Sequence, residues 1–137
     1  MSYSKKDNPS NSKTKYAINK LNCLYNNKEL FEDDGTIEHI LPETDELKTL
    51  NIGNLILLEK NLNDEAGNKT YINKLSVYEK SKYIWINKFL QEYKMWDCSN
   101  VLDRSLILAQ EYYIKIFNRP LPVKSHADVM RTVINTK

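Results

Sequence analysis

The chain has 137 residues, 41% of them hydrophobic and 28% charged, with a formal net charge of +2. That fits one globular domain with one core and excludes collagen, coiled coil and wholesale disorder. No apolar run approaches the roughly 20 residues of a membrane-spanning helix, and the polar opening Met1-Ser2-Tyr3-Ser4-Lys5-Lys6 is no secretory signal, so a cytoplasmic location is expected.

Cys23 and Cys98 form no CxxC pair, and with His39 and His126 they have no zinc-finger spacing. A disulfide between them stays open, although a small oxidised scaffold normally carries more. The mildly basic balance decides little, because many nucleic-acid binders are far more basic.

Residues 1–13 are Ser, Asn, Lys and Pro without apolar periodicity and read as a disordered arm. Thr14 is a candidate cap for a helix over 15–27, whose stripe is Ala17, Leu21, Leu24 and Tyr25. Glu32-Asp33-Asp34-Gly35 reads as an acidic turn. Thr36 to Leu41 reads as a short strand closed by Pro42, with Ile37, His39 and Leu41 on one face and Glu38 and Ile40 on the other. A polar stretch over 43–53 ends at Gly53, a turn. Leu55 to Leu58 is a compact apolar run and reads as a second, buried strand. Asn61 to Lys69 is a loop or the ragged first turn of a helix.

Ile86, Phe89, Leu90 and Tyr93 then define one amphipathic stripe. A longer helix, with Asn100 and Asp103 as its capping pair, presents Leu102, Leu106, Ala109, Tyr113 and Phe117, and stops at Pro120 and Pro122. Ser125 and Asp128 fit the start of one more short helix. The order is α, β, loop, β, then several helices: an α+β, mainly helical chain.

Cleaving a phosphodiester at neutral pH needs a base to activate water and a cation to stabilise charge on the phosphate and the leaving 3′-oxygen. A histidine beside an acidic residue on one strand offers base and metal ligand together. An asparagine on a nearby helix offers a second, neutral oxygen ligand suited to Mg²⁺. Glu38-His39-Ile40-Leu41-Pro42 supplies the first half. Gly53-Asn54-Leu55-Ile56-Leu57-Leu58 and Asn61-Leu62-Asn63 supply the second.

This order resembles the HNH (ββα-metal) endonuclease motif with its final histidine replaced by asparagine. It is closer still to the C-terminal nuclease domain of GmrSD-type modification-dependent restriction enzymes. That family reads E/D-H-I-x-P, then G-N-L-x-L-L, then L-N, then a Lys-bearing helix, a Trp and an Ile-x-x-Arg-like helix. Trp96 and Val101-Leu102-Asp103-Arg104 match the last two. The resemblance covers roughly residues 15–118. Glu38 stands where many HNH proteins have Asp, though Glu is usual in this subgroup, and Glu43 stands where the family often has Gln.

The resemblance implies a ββα-metal finger embedded among helices: a nuclease domain over 14–118 and a tail over 119–137 with a possible short helix. It implies a DNA endonuclease of restriction or anti-phage defence. Its metal, Mg²⁺ or Mn²⁺, would be held by Glu38 and Asn63. His39 would be the general base, and Asn54 would hold the loop and orient the histidine. Asn61 and Asp64 are neighbours that could replace Asn63. It also implies a separate nucleotide-sensing or specificity domain or subunit, absent from these residues.

Each assignment has a plainer counterpart. A lone strand histidine is usually a satisfied core residue, Glu38 a solvated partner for a lysine, and Asn54 a turn cap. Lys60, Lys69 and Lys74 flank the site and are candidates for phosphate contact, although helix lysines are usually a solvated face. Arg104 reads as structural, His126 as non-catalytic, and the tyrosines as core or helix surface. Two other functions share the scaffold: a degenerate nucleic-acid-binding or interaction module, and an RNA-directed nuclease.

Overall fold

The computed structural model describes residues 1–6, 9–26, 35–44 and 46–116. The acidic turn at Glu32 to Asp34, and the segment from 117 onward with its possible helix at Ser125, lie outside the described residues.

Helix α1 spans Asn11–Tyr25 and buries Thr14, Ala17, Ile18 and Leu21. It starts earlier than a Thr14 cap would place it. The Thr14 hydroxyl instead donates to the Ser2 carbonyl at 2.6 Å. That bond belongs to a wider correction at the N-terminus, where residues 1–6 are not a disordered arm. Ile52 N–H donates to the Met1 carbonyl and Tyr3 N–H to the Leu50 carbonyl, each at 2.9 Å, and Ser2 pairs antiparallel with Asn51. The segment is ordered by backbone bonds, which leave no trace in apolar periodicity.

Strand β1, Gly35–His39, pairs antiparallel with β2, Leu55–Glu59, with His39 opposite Leu55 and Glu38 opposite Ile56. Between them lie a short helix α2, Leu47–Leu50, and a 3₁₀ turn, Ile52–Asn54. β2 is buried from Leu55 to Leu58, as its continuous apolar run requires. It passes directly into α3, Lys60–Ala66, so the Asn-rich stretch is helix rather than loop. Hairpin and α3 together make the ββα unit.

Helices α4, Tyr71–Tyr78, α5, Ile84–Glu92, and α6, Cys98–Glu111, complete the domain, with a π-helical turn at Tyr112–Ile116. The expected face of α5 is present: Ile86 and Phe89 are buried and Leu90 and Tyr93 partly so.

α6 departs from expectation twice. Its cap is Asp97, whose carboxylate accepts from Ser99 and Asn100 N–H while the Asn100 side chain returns the bond, a full capping box. Its buried face is Val101, Arg104, Ser105 and Leu108, whereas Leu102 is 47% exposed. The apolar stripe read from Leu102 and Leu106 is therefore rotated from the true face, because a buried arginine and serine occupy core positions. Gly53 owes its identity to this helix: a Cβ there would lie 2.0 Å from the Val101 carbonyl oxygen.

Cys23 and Cys98 are both free thiols. Among the described residues no helix is long and apolar enough to cross a membrane. The architecture is α+β and mainly helical, with one two-stranded hairpin.

Candidate active site

The end of β1 is where the sequence motifs meet. Asn54 sits at the mouth of β2 with its amide saturated. Its Oδ1 accepts from Leu41 N–H at 2.8 Å and from Trp96 Nε1 at 3.0 Å. Its Nδ2 donates to the Leu41 and Thr49 carbonyls at 2.9 Å each. Its own carbonyl accepts from Ile40 N–H at 2.9 Å. This capture ends β1 at His39 rather than at Leu41. Arg104, from α6, closes the bracket, with Nη1 donating to the Gly53 and Leu55 carbonyls at 2.9 and 2.6 Å. Burial pulls the Arg104 guanidinium down to about 10, still charged at neutral pH, and the Trp85 and Phe89 rings lie within 5.2 Å of it. Asn54 thus fixes the backbone beside His39, and its amide does not bond the imidazole.

His39 is 3% exposed. Its Nε2 lies 2.8 Å from the Tyr3 carbonyl and 3.3 Å from Glu43 Oε1. Burial lowers its pKa, against the opposing pull of the Tyr3 carbonyl and Glu43, so the ring is neutral near pH 7. A carbonyl accepts only, so the single ring proton belongs on Nε2 and Nδ1 carries the lone pair. Nδ1 is buried and has no hydrogen-bond partner.

Glu38, 3% exposed, meets two partners from α4. Its Oε2 accepts from Tyr78 OH at 2.5 Å and lies 3.0 Å from Lys74 Nζ. Lys74 also donates to the His39 and Ile40 carbonyls at 2.7 and 3.3 Å. Burial pushes the Glu38 carboxyl up and the Lys74 ammonium down, and their mutual attraction opposes both. The Tyr78 hydroxyl is raised well above its ordinary range, first by burial and then by the Glu38 charge, so it stays a donor. Among the described residues, both of these side-chain contacts, from Tyr78 and Lys74, fall on Oε2 rather than Oε1.

Asn63, on α3, docks on the same strand. Its Nδ2 donates to Thr36 Oγ1 at 2.8 Å and to the Ile37 carbonyl at 3.0 Å. Because Ile37 O is an acceptor, the amide orientation is determined, and among the described residues no donor meets Oδ1. The fold therefore brings Glu38, His39 and Asn63 to one short stretch of β1. Among the described residues no three of His, Cys, Asp and Glu cluster in a metal-holding arrangement.

The three lysines part company. Lys60 is exposed and pairs with Asp64 at 2.9 Å. Lys69 is exposed on the turn before α4. Lys74 is fully buried against Glu38, so it is an internal counter-charge rather than a surface contact for phosphate. The residues that sequence reasoning missed are Tyr3, Glu43 and Tyr78. A signal for Tyr78 existed: Lys74 and Tyr78 are four apart and share one face of α4 with buried Tyr71. Tyr3 acts through its carbonyl, which no side-chain motif encodes.

No curated protein and no solved structure gives a significant match to this chain. A family model does, that of the C-terminal domain of GmrSD restriction endonucleases, over residues 1–111. The matched span starts with the segment that holds His39 and ends on the last residue of α6. It takes in every side chain described above, and the chain belongs to this family of restriction-endonuclease nuclease domains.

Proposed function

We propose that the domain is an HNH-type, metal-dependent endonuclease that hydrolyses phosphodiester bonds of DNA in restriction or anti-phage defence. His39 is the general base, and Glu38 and Asn63 are the protein ligands of Mg²⁺ or Mn²⁺. The observation that supports the reading is the 2.8 Å contact of His39 Nε2 with the Tyr3 carbonyl, which leaves Nδ1 as the basic nitrogen of the ring.

The chemistry follows from the tautomer. With Nε2–H tied to the Tyr3 carbonyl, Nδ1 takes the proton of an attacking water, and the carbonyl steadies the imidazolium that forms. Attack at phosphorus with loss of the 3′-oxygen leaves 5′-phosphate and 3′-hydroxyl ends. Glu38 Oε1 and Asn63 Oδ1 are hard oxygen donors that no described residue engages, which fits an ion that keeps several waters. When bound, that ion supplies charge stabilisation at the phosphate and the leaving oxygen. Asn54, Trp96 and Arg104 keep the backbone around the base in register. Lys60 and Lys69 are the phosphate-contact candidates on the surface. A nucleotide-sensing or specificity domain or subunit would choose the target.

A second reading has its own support. Lys74 already neutralises much of the Glu38 charge, as expected of a degenerate scaffold that binds nucleic acid without cutting it. An RNA-directed nuclease would use the same residues.

Asn63→Ala tests the metal assignment. Plasmid cleavage in Mg²⁺ should be lost, while stability falls by only about 1 kcal/mol for the bonds to Thr36 and Ile37. Mn²⁺ binding, followed by calorimetric titration, should weaken in parallel. Retained cleavage at low Mg²⁺ would remove Asn63 from the ligand set and turn attention to Asn61 or Asp64. Absence of ion binding by the wild type, with EDTA-insensitive DNA binding, would favour the degenerate scaffold.

A further inference from the structure

Glu43 is the first residue after Pro42 and lies beside the histidine. Its Oε1 accepts from Lys5 N–H at 2.8 Å and its Oε2 from the Ser4 hydroxyl at 3.2 Å. Its Oε1 is also 3.3 Å from His39 Nε2. Its two hydrogen bonds reach a backbone amide and a buried serine, and one of its oxygens stands beside the imidazole, which a solvated surface carboxylate would not do.

The segment Glu43 grips is the one that supplies the Tyr3 carbonyl. Ser4 is pinned on its other side by Asn11 of α1, whose Oδ1 accepts from Ser4 N–H at 3.1 Å and whose Nδ2 donates to the Ser4 carbonyl at 2.9 Å. Tyr3 N–H is held by the Leu50 carbonyl. The Tyr3 and His39 rings are 6.0 Å apart. Residues 3–5 thus form a short strap across the histidine, and Glu43 is its clasp on the side of the motif.

We propose that Glu43 is a positioning residue for His39: it clamps residues 4 and 5, which keeps the Tyr3 carbonyl on Nε2–H and leaves Nδ1 as the nitrogen free to take a proton. The inference rests on the reading of His39 as general base. The physical need is plain, since a neutral imidazole chooses its tautomer by the hydrogen bond its other nitrogen makes. The three-residue strap packs Tyr3 against the core and otherwise depends on polar contacts to hold that bond. A glutamine would satisfy the same two hydrogen bonds, with its amide oxygen accepting from Lys5 N–H and its amide nitrogen donating to the Ser4 hydroxyl.

The test uses the full chain, ¹⁵N-labelled at histidine, as wild type, Glu43→Ala and Glu43→Gln, with two readouts. The ring ¹⁵N shifts of His39 report the tautomer, and plasmid nicking in Mg²⁺ reports kcat and KM. Wild type should show the Nε2–H form. Glu43→Ala should shift His39 toward a mixture and lower kcat by about tenfold or more with KM unchanged, the scale seen when groups that orient an imidazole are removed. Glu43→Gln should restore both. The inference is overturned if Glu43→Ala keeps the wild-type tautomer, or if Glu43→Gln is as impaired as Glu43→Ala. Were wild type to show no nicking at all, the nuclease reading would fall on its own, while the ¹⁵N shifts would still decide the role of Glu43.

Discussion

At the scale of single residues, the site is a set of buried polar groups whose protonation is set by where they sit. His39 shows it most clearly. Its folded pKa is depressed by burial, so its contribution to stability is complete above the unfolded value of 6.5 and is lost as pH falls through the folded value. Wild type should therefore lose stability on acidification more steeply than His39→Gln, whose amide can still donate to the Tyr3 carbonyl but cannot take up a proton. Melting temperatures of both proteins from about pH 7.5 down to about pH 5 check this, and parallel curves would show that His39 is not a depressed, neutral histidine. The placement of these residues was legible in part: Glu38 beside His39, and Asn63 near the start of a helix, are local patterns, and Asn63 does bond β1 at Thr36 and Ile37. Lys74 was legible only as a charge; that it turns inward to Glu38 depends on where α4 packs.

At the scale of elements, polar bonds rather than apolar periodicity decide the boundaries and faces that sequence reading missed. β1 stops at His39 because the Asn54 amide takes over Leu41. α1 begins early because Ser10 and Thr14 both bond Ser2. α6 turns a different face inward because Arg104 must reach the carbonyls of Gly53 and Leu55. A hydropathy stripe treats an arginine as surface, so it picks the wrong register in α6, where Arg104 is core. The two registers make opposite predictions. Val101 is fully buried and Leu102 is 47% exposed, so Val101→Ala should destabilise by about 2 kcal/mol and Leu102→Ala by no more than about 0.5 kcal/mol. Urea denaturation of the two variants reads the difference, and the reverse order would restore the face read from Leu102.

At the scale of the whole molecule, the end of β1 is held from distant segments of the described chain: Tyr3 and Ser4 from one end, α4 through Lys74 and Tyr78, and α6 through Arg104 with Trp96 before it. The helices that look like generic packing in the sequence form a frame around the Glu38-His39 stretch, and such long-range pairings have no local signal. Under the proposed function, this frame presents His39 as a general base for phosphodiester hydrolysis. The most direct measurement is supercoiled-plasmid cleavage by wild type and His39→Ala, each shown by circular dichroism to be folded, in Mg²⁺, in Mn²⁺ and in EDTA. The predicted result is metal-dependent cutting by wild type, abolished by EDTA, and a loss of at least about a hundredfold in His39→Ala, the range expected for removing a general base. Equal cutting by the two folded proteins would contradict the account.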